Sequence, residues 1–167
     1  RFHQERADGV GGWRTGAGCM DGCERVPYRL PQVLRSIGTG ETLHVAEGEK
    51  CVEALESLGL TATTCPQGAG KWQDSYASQL SRAIAVRVLA DNDDPGRNHS
   101  VAVAESFRRV GVLDVRVIEF PGKVGRDVAD WLQERAGRSP DELRTELVAY
   151  IERSPARVLA SAENAPT

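Results

Sequence analysis

The chain has 167 residues, 40% of them hydrophobic and 27% charged, with a formal net charge of −3. That length supports one domain with a real core, and no apolar run approaches the roughly 18 residues of a membrane span. The negative balance excludes a broadly basic nucleic-acid-binding surface, so any such contact must rest on local Arg and Lys and on bound metal.

Residues 1–40 are expected to form an N-terminal arm too small to fold alone. With Arg rather than Met at position 1, the chain reads as a piece cut from a longer polypeptide. Gly9-Val10-Gly11-Gly12-Trp13-Arg14 predicts a turn entering a short edge strand. Tyr28-Arg29-Leu30-Pro31 opens a helix that places Val33, Leu34 and Ile37 on one side and ends at Gly38 and Gly40. Cys19 and Cys23 have the spacing of half a zinc site, but no second pair completes it. The four cysteines therefore read as reduced thiols of a cytoplasmic protein.

Leu43 to Ala46 predicts a strand with Glu47-Gly48 at its C-terminal end, followed by a helix from Glu49 to Leu58 that Gly59 stops. A second strand runs from Leu60 to Cys65 and is closed by Pro66. The glycine-rich loop Gln67-Gly68-Ala69-Gly70-Lys71-Trp72 leads to a helix from Asp74 to about Arg82 and a third strand from Ile84 to Ala90. A helix from Pro95 to Val110, a fourth strand from Val112 to Phe120 and a helix starting at Asp127 follow. Ser139-Pro140-Asp141-Glu142 is a capping box, and Leu143, Leu147, Tyr150 and Ile151 form an apolar stripe that could pack here or dock a neighbour. The tail from about Ser154 is expected to be disordered. The expected divisions are 1–40, 41–135 and 136–167. Strands alternating with helices imply an α/β fold, a Rossmann-like four-stranded parallel sheet with helices on both faces and ligands at the strands' C-terminal ends.

The stretch from Val86 to Arg97 stands out, because a β-branched run ends in Asp91-Asn92-Asp93-Asp94-Pro95-Gly96. Carboxylates packed this closely repel unless a cation neutralises them, and hard oxygen donors suit Mg²⁺ or Mn²⁺. Asp91 and Asp93 are the candidate ligands, with Asp94 secondary or a helix cap; the bland alternative is a solvated turn. Glu47 is placed to join them as ligand and as general base for an attacking hydroxyl. Gly48 and Lys50 beside it, Gly68, Gly70 and Lys71 in the loop, and Arg97 are candidates for binding nucleotide phosphates. Trp72 could stack on a base or fill the core, and Arg126 could contact a nucleic-acid backbone. Asp127 and Asp130 share a helix face, with Asp127 a natural N-cap.

Three segments carry a family resemblance: Val45-Ala46-Glu47-Gly48-Glu49-Lys50, Leu89 through Arg97, and Gly125-Arg126-Asp127-Val128-Ala129-Asp130-Trp131-Leu132. Together they resemble the Toprim domain. The loop Pro66 to Trp72 and the lead-in Tyr28 to Pro31 resemble its version in phage- and plasmid-type primases and primase-helicases. The resemblance implies a metal-dependent nucleotidyltransferase core that makes RNA primers on single-stranded DNA from nucleoside triphosphates, with a helicase domain or protein as partner. It implies that Glu47, Asp91 and Asp93 are catalytic and bind Mg²⁺ or Mn²⁺, that Asp127 and Asp130 are further metal ligands, and that the arm is a remnant of the primase N-terminal subdomain. Gln67 departs from the glycine that related loops carry. A Toprim nuclease and a non-catalytic nucleotide- or nucleic-acid-binding module of a replication protein are the alternatives the sequence leaves open.

Overall fold

A computed structural model describes residues 5–155; the tail expected beyond Ser154 lies almost wholly outside them. A short antiparallel hairpin, β1 (Glu5–Ala7) with β2 (Trp13–Thr15), precedes helix α1 (Leu30–Gly38). Then come β3 (Leu43–Val45), α2 (Glu49–Ser57), β4 (Ala62–Thr63), α3 (Asp74–Gln79) and β5 (Ala85–Ala90). The chain continues through α4 (Asp94–Arg109), β6 (Asp114–Glu119), α5 (Val128–Gln133) and α6 (Pro140–Arg153).

Strands β3 to β6 form one parallel sheet in the order β4-β3-β5-β6. The chain leaves β3 for β4 on one side, then returns to β5 on the other. The gap between β3 and β5 is thus a topological switch point, where the ends of neighbouring strands diverge and open a crevice. All six positions of β5 are buried, as a central strand covered on both faces requires.

Two apolar clusters sandwich the sheet. One joins α1, α3 and α4 to it through Val33, Ile37, Leu80, Val103 and Phe107. The other joins α2, α5 and α6 through Val52, Leu55, Trp131, Leu147 and Ile151. Helix α1, within the N-terminal arm, packs on the main core through Val33 and Ile37. The apolar stripe of α6 packs on this domain. Its predicted capping box is present, with reciprocal bonds between Ser139 and Glu142. Cys19, Cys23, Cys51 and Cys65 form no disulfide. Among the described residues no helix is long and apolar enough to cross a membrane.

Candidate functional site

The sheet register sets the first contact. Val45 pairs with Val88 across β3 and β5, so the two strands deliver Glu47 and Asp91 together at their C-terminal ends. Glu47 and Asp91 lie within side-chain reach of each other, close enough that each shifts the other's titration. Asp93 and Asp127 stand near enough for their charges to raise both groups. Four acids from three separate loops thus face one another at the switch point.

Their environment is short of positive charge. Burial is the largest influence on Asp91, followed by the charges of Glu47 and Asp127, and together they push its carboxyl up to about 7. Glu47 is raised too, by burial first and then by the charges of Asp93 and Asp127, while its contact with Asp91 pulls the other way. Both carboxyls are therefore held more readily protonated than exposed ones, and the pair titrates together.

Asp93 and Asp127 are each anchored by one oxygen. Asp93 Oδ1 accepts from the Gly96 amide at 2.7 Å and N-caps α4. Asp127 Oδ1 accepts from the Asp130 amide at 2.6 Å and N-caps α5. Capping and ligation are therefore compatible roles: the cap fixes the side chain's orientation, and the second oxygen remains. The cap of α4 is Asp93, not Asp94. Asp94 is exposed and pairs with Arg97 at 2.8 Å. Gly96 lets the helix begin this close to the acids, since a Cβ there would lie 2.8 Å from Asp91 Cβ and 2.9 Å from its carbonyl oxygen. Asp130 is held by Lys123 at 2.9 Å, which with Lys50 keeps its carboxyl below the usual range.

Several binding roles expected from the sequence do not match the geometry. In the glycine-rich loop, the Gly70 amide donates to His99 Nδ1 at 3.1 Å, and the Gly68 and Lys71 amides donate to Cys65 and Gly68 carbonyls. These amides are taken, so they do not form a phosphate cradle. Gln67 adopts φ 73, the left-handed backbone that favours glycine. Trp72 packs edge-on to Tyr76 and tilted on Phe107, with its indole nitrogen buried, so its ring serves the core rather than a stacked base. The Arg126 guanidinium is nearly buried and binds the Pro121 carbonyl and Glu134, which removes it as a backbone-contacting cation. Arg97 is tied to Asp94 and, at 3.0 Å, to Asn92 Oδ1. Lys50 and Lys71 are exposed, and Gly48 N-caps α2 directly after Glu47. Asn92, whose side chain reaches a neighbouring loop, carries no sequence signal beyond its position between two ligand candidates.

Among the described residues, no three His, Cys, Asp or Glu side chains close into a finished metal cage. The donor chemistry nonetheless fits a hard cation. The four acids offer only oxygen. Cys51 lies against Asp127, and burial followed by the Asp127 charge pushes its thiol up to about 12, which keeps it a neutral, poor ligand. A divalent cation would replace the proton the pair holds and supply the missing positive charge.

No protein-family model matches the chain, and no curated protein sequence does. Solved structures do match in shape, among them domains of two DNA primases. The Aquifex aeolicus primase, in its zinc-binding and RNA polymerase domains, superposes with a TM-score of 0.56 at 21% identity, over 74% of this chain and 28% of that one. A DNA primase domain from Pseudomonas aeruginosa does so with a TM-score of 0.56 at 23% identity, over 76% and 36%. The fold is thus the α/β, Toprim-like fold of these primase domains, and this chain spans about a third of the length of each.

Proposed function

We propose that this chain is the Toprim-type catalytic core of a DNA primase, joining nucleoside triphosphates into RNA primers on single-stranded DNA with Mg²⁺ or Mn²⁺. The observation that carries the reading is the meeting of Glu47 and Asp91 across the switch point, at the ends of the paired strands β3 and β5, with Asp93 and Asp127 alongside. The shared primase fold supports it. Asp91 would hold the cation, with Asp93 and Asp127 adding the oxygens left over from capping. When bound, the cation supplies charge to the attacking and leaving oxygens of a phosphoryl transfer. Glu47 takes the proton from the attacking hydroxyl. Exposed Lys50 and Lys71 draw nucleotide phosphates towards an otherwise acidic face. The resemblance to primase-helicases adds a helicase, on the same polypeptide or as a partner.

The test is to incubate the protein with Mn²⁺ or Mg²⁺, single-stranded DNA and labelled ribonucleotides. Short labelled oligonucleotides are expected, and an Asp91→Asn variant should make none. Template shortening without synthesis would replace the reading with a nuclease, and cation binding without turnover would replace it with a binding module.

A further inference from the structure

We infer that Asn92, the residue between the two aspartates, is the positioning residue that brings Asp127 into the site. The inference rests on the metal-binding reading above. An asparagine in a turn ordinarily bonds its own backbone two residues on. Here the local bond is made by the backbone, Asp93 amide to Asp91 carbonyl at 2.9 Å. The Asn92 carboxamide instead crosses to the loop after β6. Its Nδ2 donates to the Gly122 and Lys123 carbonyls, each at 3.0 Å. Its amide donates to the Arg126 carbonyl at 2.9 Å, and its carbonyl accepts from the Gly125 amide at 3.0 Å. Arg97 donates to the remaining oxygen, Oδ1, at 3.0 Å. Every hydrogen-bonding position of the carboxamide plane is thus engaged by a partner outside its own turn, save the second lone pair of Oδ1.

That brace joins the loop to the turn after β5, which the loop's own ties, the Lys123–Asp130 ion pair and the Arg126 guanidinium on the Pro121 carbonyl, do not do. Residues 121–125 are all exposed, and Gly122 and Gly125 take positive φ values of 145 and 72. Asp127 follows two residues after Gly125, and its place beside Asp91 depends on where this loop is pinned. Aspartate at 91 and 93 would ligate from one strand end. Asn92 uses the same turn to fix where the third acid arrives from a different strand, and it touches neither substrate nor cation. The bonds lie near solvent, so water can satisfy the two carbonyls when the donors are lost, and the domain stays folded.

The experiment measures Mn²⁺ affinity by calorimetry on the whole chain, in an Asn92–Asp127 double-mutant cycle. Asn92→Ala is expected to weaken binding about tenfold, the low end for partners that orient a ligand. In an Asp127→Asn background the same substitution should change affinity less than about twofold, because the group it positions is gone. Asn92→Ser, which lacks both N–H donors and keeps the backbone bonds, should follow the same pattern if the alanine variant folds poorly. A merely structural role would lower Tm and weaken binding equally in both backgrounds, and that result overturns the inference. So does parental affinity in Asn92→Ala. If the unsubstituted protein binds no Mn²⁺, the metal-binding reading itself falls, and the inference with it.

Discussion

Burial and the neighbouring carboxylates raise Asp91 to about 7 from its ordinary 3.8, so folding takes up a proton between those values. The folded state then binds more protons than the unfolded one, and stability falls as pH rises through that window. Above about pH 7 the full penalty applies. Asparagine at this position keeps the shape and can donate to Glu47 at every pH. Metal-free Asp91→Asn is therefore expected to melt above the parent at pH 8, by on the order of 1–2 kcal/mol once screening of a half-buried group is allowed for. The gap should close towards pH 4. A gap that does not vary with pH would mean the two carboxyls do not titrate together. The same proton competes with metal, so Mn²⁺ binding to the parent should weaken about tenfold from pH 8 to pH 6. Glu47 and Asp91 were legible at this scale because each ends a β-rich run. Asn92 was not, because its partners lie 30 and 31 residues away.

Charge inside a strand usually marks a solvated face, and Arg87 of β5 reads that way until its partners are known. It is buried, with a bidentate pair to Asp114 at 2.9 Å and a second contact to Glu152 at 3.1 Å. Those acids lie 27 and 65 residues away, beyond the reach of any local pattern. The register puts His44, Arg87 and Arg116 in one cross-strand row, and Glu152 of α6 bridges the two arginines. The row clamps α6 to the sheet, assisted by the Tyr150 hydroxyl donating to the Glu119 carbonyl at 2.6 Å. Its energetics are asymmetric, because Arg87 is buried while Asp114 and Glu152 are about half exposed. Removing both acids strands a buried cation, whereas removing the cation leaves acids that water can solvate. The Asp114→Ala/Glu152→Ala double variant should lose about 3 kcal/mol in urea unfolding. Arg87→Met should lose less than about 1.5 kcal/mol. The reverse order would show that the row stabilises through the acids' own hydrogen bonds.

Across the whole molecule, strand order does what no single element can. Four strands and their helices were readable from period and punctuation, and acids at strand ends followed from that. Which strands would be neighbours was not encoded locally; the crossing from β4 back to β5 places Glu47 beside Asp91. A cation held there ties together the segments after β3, after β5 and after β6, so its binding energy adds to global stability rather than to one loop. Mn²⁺ at about a hundred times its Kd should contribute about 2.7 kcal/mol. For a chain of this size that is a rise in Tm of roughly 5–10 °C, reversed by chelator. Screening of the net charge of −3 could in principle mimic such a shift, but it would act on any acidic surface. Asp91→Asn separates the two effects. It keeps nearly all of that charge while losing a ligand, so its Tm should move by less than about 2 °C with Mn²⁺, within what screening of surface charge supplies. An equal rise in parent and variant would place the cation outside the crevice, and the three loops would then share nothing but a shape.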